Sequence, residues 1–129
     1  MQTRDQRYAI AAHAKVSAIK EQYKEQPEAV KPYGAMSHKL PILIRTAGLS
    51  QALTFVDARG KPIQKILLKD LAETIGQSST DAFLQQARTA GLKEYMLLTR
   101  QSLDALLWYK RFAQSILKVD VGDDTGDEV

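Results

Sequence analysis

Apolar residues recur every three or four positions along this 129-residue chain, and that spacing predicts helices almost from end to end. Thr3 offers a first cap, with Gln6 three residues later completing a capping box. Tyr8, Ala12, Val16, Ile19 and Tyr23 then form one apolar stripe, with His13, Lys20 and Lys24 on the opposite face. Pro27 lies just beyond, where a stop is expected. Tyr33, Met36, Leu40, Leu43 and Ile44 predict a second helix running to about Thr46. Pro41 removes an amide donor and disfavours helical geometry at Leu40, so a kink or a fresh start is expected there. Gly48 is placed to be the left-handed residue after the end, with Leu49 supplying the hydrophobic contact of that motif.

A short third helix is predicted over 50–59, with Ala52, Leu53 and Val56 inside, closed by Gly60. Lys61 and Pro62 open a fourth, since proline suits a first-turn position, and Gly76 ends it. The run Ser78, Ser79, Thr80 and Asp81 caps a fifth that stops before Gly91. The last helix is expected over 93–118, about 39 Å long at 1.5 Å per residue. No alternating, β-branched run bounded by turns appears, so no strand is predicted. The expected fold is therefore all-α: a compact bundle of about six helices with a long C-terminal helix. Leu40, Leu43, Ile44, Leu49, Leu53 and Phe55 are expected to form its core around the Gly48 turn.

The last helix carries a second pattern. At 100° per residue, Leu98, Ala105, Tyr109, Phe112 and Ile116 fall together and should face the core. Lys93, Arg100, Arg111 and Lys118 align on the opposite side, with Asp104 among them. Met96, Leu103 and Leu107 make a further apolar strip beside the basic one, which suits either burial or a partner.

Charge sharpens this picture. The net charge is +3, but the last ten residues carry Asp120, Asp123, Asp124, Asp127 and Glu128 and no base. Setting those five acids aside from the total of 15 leaves ten against 18 bases, a net +8 over residues 1–119. We therefore expect a basic helical domain over 1–119 and a disordered acidic tail over 120–129. A basic body points to a polyanionic partner. The candidate contacts are Lys39 and Arg45 around Pro41, with Lys93, Arg100, Lys110, Arg111 and Lys118 on the last helix. Phosphate binding needs charge in register and little else.

Candidate catalytic chemistry is thin. Cys 0 excludes disulfides, thiol nucleophiles and thiolate metal sites, and suits a reducing cytoplasm. His13 and His38 fall on different helices, without a His/Glu pair at ligand spacing, and are expected at surface or helix-end positions. Gly60 and Lys61 lack the rest of a phosphate loop, Ser78 and Ser79 read as caps, and the tail acids lack calcium-loop spacing. No enzyme activity, cofactor, metal or small-molecule substrate is expected. No apolar run is long enough to span a membrane, and the first residues lack a secretory apolar region, so a cytoplasmic protein is expected.

Particular blocks then carry a resemblance. The opening Thr3-Arg4-Asp5-Gln6-Arg7-Tyr8, the pair Tyr33-Gly34, the run from Lys39-Leu40-Pro41 through Gly48-Leu49 to Phe55, and the closing Trp108-Tyr109-Lys110-Arg111-Phe112-Ala113 resemble the small helical subunit of the type III-B CRISPR effector, the fifth subunit of the Cmr complex. The likeness spans nearly the whole chain except the acidic tail. Ala47 stands where that family usually has a polar residue, commonly asparagine. The resemblance implies a non-catalytic subunit that stacks as a filament with further copies of itself. It implies contacts with the repeat-associated backbone subunits, with the large polymerase-like subunit and with guide–target RNA through basic surfaces. The small subunit of a type III-A complex is a rival reading, and the block around Pro41 favours the first. A DNA-binding regulator would need polar, base-reading residues on the second helix of a tight pair, where this chain has Leu49, Ala52, Leu53, Phe55 and Val56.

Overall fold

The computed structural model describes residues 1–122, and the acidic positions from Asp123 onward lie outside the described residues. Among the described residues six α-helices follow one another: α1 (Arg4–Gln22), α2 (Lys31–Ala47), α3 (Leu49–Arg59), α4 (Pro62–Thr74), α5 (Thr80–Thr89) and α6 (Leu92–Ser115), with a 3₁₀ turn (Pro27–Val30) leading into α2. No strand occurs among the described residues, so the fold is the expected all-α bundle with a long last helix. The local signals act where the pattern placed them. Thr3 Oγ1 accepts from Gln6 N at 3.0 Å while Gln6 Oε1 accepts from Thr3 N at 2.8 Å. Ser79 Oγ accepts from Ala82 N at 3.0 Å.

The long α6 packs between α1 and α2, and α4 closes the bundle behind them. Tyr8, Ala12, Val16 and Ile19 of α1 face Leu98, Ala105, Leu106 and Tyr109 of α6 in one continuous core. Leu67, Leu68 and Leu71 of α4 and Phe83 of α5 fill it from the far side. Its centre holds a small polar network. Tyr33 donates its hydroxyl to Asp70 Oδ2 at 2.7 Å, and Tyr109 donates to the Asp70 carbonyl at 3.2 Å and lies 2.7 Å from Thr74 Oγ1. Burial raises the Asp70 carboxyl above its usual range, and the Tyr33 hydrogen bond offsets part of that rise. Burial likewise pushes the Tyr33 and Tyr109 phenols up. Each polar group in this network has a partner, as buried polar atoms require.

Several expectations are corrected. Helix α2 runs through Pro41 without restarting. The proline lacks the amide that would bond the Ser37 carbonyl, but it is buried against the core, and packing carries the helix across it. His38 is buried rather than at a surface or helix end, with Nε2 2.9 Å from the Val119 carbonyl. A carbonyl only accepts, so Nε2 is the protonated nitrogen. The last helix stops at Ser115, three residues short of the expected end. Lys118 turns to φ +61°, and Val119 folds back so that its N–H bonds the Ala113 carbonyl at 2.9 Å. Leu117 and Val119 are both buried. The gain from covering them outweighs one more helical turn, and the segment lies as a strap over α2.

Around the Gly48 turn, Leu40, Ile44, Leu49 and Leu53 are fully buried, and Leu43 is half-buried against the same core. Phe55 is half-buried outside that cluster. It lies two residues, about 200°, round α3 from Leu53, whereas Leu49, Ala52, Leu53 and Val56 share the inward face.

Candidate functional site

The buried arc of α6, from Leu98 through Ser102, Ala105 and Tyr109 to Ala113, leaves the opposite side of the helix to solvent. Lys93, Arg100 and Arg111 are exposed on that side, aligned within about 20° by their spacings of seven and eleven. Lys118 is exposed too, but the strap takes it off the helix and out of the alignment. Lys110 is half-buried about 100° away from Arg111.

On α2 the unbroken helix separates the other two candidates. Six residues of regular helix put Lys39 and Arg45 about 120° apart, with Lys39 half-buried and Arg45 exposed. Arg45 instead joins α6. A groove of about 570 Å³ runs between the last turn of α2 and the first half of α6, bounded by Arg45 on one wall and Arg100 and Asp104 on the other. Met96, Leu103 and Leu107 line its floor, and Met96 and Leu107 remain 63% and 48% exposed. The apolar strip and the basic stripe thus form one surface, amphipathic across a few ångströms.

Sequence reasoning missed Arg4. Its guanidinium pairs with Asp104, hydrogen-bonding through Nη2, and lies 5.4 Å from the centre of the Tyr8 ring. The acid expected to weaken the middle of the stripe is therefore matched by a base from the other end of the chain. Nothing near residue 104 in sequence signals this, because the partner stands 100 positions away. The pair is two-fifths exposed, so its contribution to stability is small, and its effect is to leave Arg45, Arg100 and Arg111 unopposed.

Tyr95 fixes the groove's upper end. Its hydroxyl accepts from Ser50 N at 3.1 Å, an amide in the first turn of α3. Gly48 has no side chain to cap that helix and Ala47 carries no acceptor, so α6 supplies the oxygen instead. Trp108 is held further along by donation from Nε1 to Asp5 Oδ1 at 3.0 Å and by stacking on Phe112 at 5.8 Å. Among the described residues no group of three or more His, Asp or Glu is arranged to hold a metal ion, and no helix is long and apolar enough to cross a membrane.

Comparison with known proteins decides the family. The sequence model described as CRISPR-associated protein (Cas_Cmr5) matches residues 4–116. This chain belongs to the Cmr5 family. It is 44% identical over 118 residues to the CRISPR system Cmr subunit Cmr5 of Thermus thermophilus, an alignment covering 92% of this chain and 99% of that protein. A crystal structure of a CRISPR-associated Cmr5 family protein from the same organism superposes with a TM-score of 0.79 at 45% identity, covering 90% of this chain and 98% of that one. The Cmr5 match ends at Ile116, before the strap and the acidic tail.

Proposed function

We propose that this Cmr5 family member is a non-catalytic subunit of a type III-B CRISPR effector, stacking with copies of itself and helping to hold guide–target RNA. The observation that carries this reading is the solvent face of α6, where Lys93, Arg100 and Arg111 align opposite the buried arc and Arg45 faces Arg100 across the groove. Such a face follows a sugar–phosphate chain by charge alone, without reading bases. The apolar floor beside it suits a protein neighbour, so one surface can meet RNA and an adjacent subunit together. Repeated copies would multiply a modest single-subunit affinity. Large polymerase-like and repeat-associated backbone subunits are the expected neighbours, and the cytoplasm the expected compartment.

The test is the double change Arg100→Glu and Arg111→Glu, with target-RNA retention by the reconstituted complex measured across salt concentrations. Both side chains are exposed, so the melting temperature should hold while retention falls. Each lost contact to a single strand should reduce the salt slope by about 0.7. Unchanged retention by a variant that still assembles would remove the α6 face from the RNA path.

A further inference from the structure

A second hollow, of about 410 Å³, lies at the other end of the molecule from the Gly48 turn, where α1 ends and the strap leaves α6. Four lysines surround it: Lys20 and Lys24 from the end of α1, Lys31 from the start of α2 and Lys118 from the strap. Tyr23 and Val30 give it an apolar floor. The one acid on its wall, Glu28, bonds Lys31 at 3.1 Å. Lys24 pairs with Glu21 at 2.9 Å, whereas Lys20 and Lys118 carry no partner among the described residues. The four lysines stand against the two glutamates that pair with them, Glu21 and Glu28, an excess of two positive charges.

The chain itself supplies the matching charge. Val119 lines this hollow, and only Asp120, Val121 and Gly122 separate it from Asp123, Asp124, Asp127 and Glu128. Val121 and Gly122 form a turn, with Gly122 at φ +88°, which redirects the chain at the rim. Seven residues follow, enough to extend about 23–25 Å and so to cross the hollow.

We propose that the lysine-lined hollow is a docking seat for the chain's own acidic segment over 123–129, which folds back onto it within the same molecule. Charge complementarity selects an acidic peptide, and the tether selects this one. A short linker holds the tail at an effective concentration on the order of millimolar, above what a second copy offers at ordinary protein concentrations. The contact is electrostatic and partly exposed, so it weakens as salt shortens the screening length. This inference does not rest on the RNA-binding role of α6.

The experiment uses full-length chain, unlabelled and ¹⁵N-labelled in equal mixture, treated with a zero-length carbodiimide that joins lysines to carboxylates in contact. The expected products link Lys20, Lys31 or Lys118 to the carboxylates of 123–129, stay within one isotope class, and fall several-fold at 0.5 M salt, where the Debye length is roughly 4 Å. A synthetic peptide of residues 120–129 should bind the variant with Asp123→Asn, Asp124→Asn, Asp127→Asn and Glu128→Gln at least tenfold more tightly than it binds the parent, whose seat is filled. Links of mixed isotope class would overturn the same-molecule contact in favour of exchange between copies. Links absent at low salt, with equal peptide binding to both proteins, would overturn the seat and leave Lys20, Lys24 and Lys118 as complements to the C-terminal dipoles of α1 and α6.

Discussion

Gly34, in the first turn of α2, and Gly48, just past its last, are the same residue type kept for opposite reasons. Gly48 adopts φ +89° and ψ 159°, a region open almost to glycine alone, and joins α2 to α3 without a linker. Gly34 lies within regular helix, where any residue could sit by backbone alone, yet a Cβ there would lie 2.6 Å from Val119 Cβ. One glycine answers to its own backbone and the other to a strap 85 positions away. Both positions are closed by the C-terminal part of the chain, through Tyr95 of α6 at one end of α2 and Val119 of the strap at the other. The difference teaches that local geometry can be read from a local sequence signal, while close approach depends on a partner that only the fold brings near.

The strongest way to break that comparison is Gly48→Val. A β-branched residue is strained at positive φ, and its Cβ would meet the Tyr95 hydroxyl at 3.3 Å. The expected loss is about 2–3 kcal/mol by chemical denaturation, with no rescue from shortening any one neighbour. Gly34→Ala comes next. Helix propensity alone favours alanine by about 1 kcal/mol, and overpacking costs about 1–3, so a net loss of up to about 2 kcal/mol is expected. Here a rescue exists: in a Val119→Gly background the same change should become neutral or stabilising. A double-mutant cycle that shows no coupling would mean that the strap does not cover Gly34 in solution.

The same distinction explains how much was legible. Capping at Thr3 and Ser79, the positive φ at Gly48 and the inward face of α6 all depend on residues within one or two turns, and the spacing places them correctly. The end of α6 does not, because Leu117 and Val119 leave the helix and are buried, Val119 against Gly34 and His38 on α2. Lys118 therefore falls outside the stripe that spacing alone predicts for it. At Pro41 the local rule allows a fresh helix start, and α2 instead runs through it with Leu40 and Pro41 buried. At the candidate site, the alignment of Lys93, Arg100 and Arg111 follows from helix geometry, whereas Arg45 across the groove and Arg4 on Asp104 needed the packing of three helices.

A smaller effect tests the cap that α6 lends to α3. Tyr95→Phe keeps the ring at the groove's upper end and removes only the oxygen that accepts from Ser50 N. The expected cost is about 1 kcal/mol, the net worth of one hydrogen bond. Adding Gly48→Ser, meant to replace the acceptor locally, should fail to recover it, because serine pays the strain of positive φ. Amide exchange at Ser50 should quicken in Tyr95→Phe while exchange within α6 stays unchanged. Unchanged protection at Ser50 would show that water serves this amide as well as the tyrosine does.

The smallest effect lies at Lys118, the non-glycine residue that adopts positive φ among those described. If burial of Leu117 and Val119 forces this conformation, lysine holds it at a cost of roughly 1 kcal/mol that glycine would not bear. Glycine brings its own cost, about 0.5–1 kcal/mol of extra backbone entropy lost on folding. The two nearly cancel, and Lys118→Gly should stabilise the chain by a few tenths of a kcal/mol. Lys118→Asn should fall close to it, since asparagine tolerates the left-handed region, and Lys118→Ala should stay near the parent. Comparing the three separates conformation from charge, because each removes the same positive charge from the exposed strap. The order glycine, asparagine, alanine in midpoint denaturant concentration would show that the strap keeps its left-handed turn in solution. Alanine highest of the three would show α6 continuing through Lys118, and would return that lysine to the stripe with Lys93, Arg100 and Arg111.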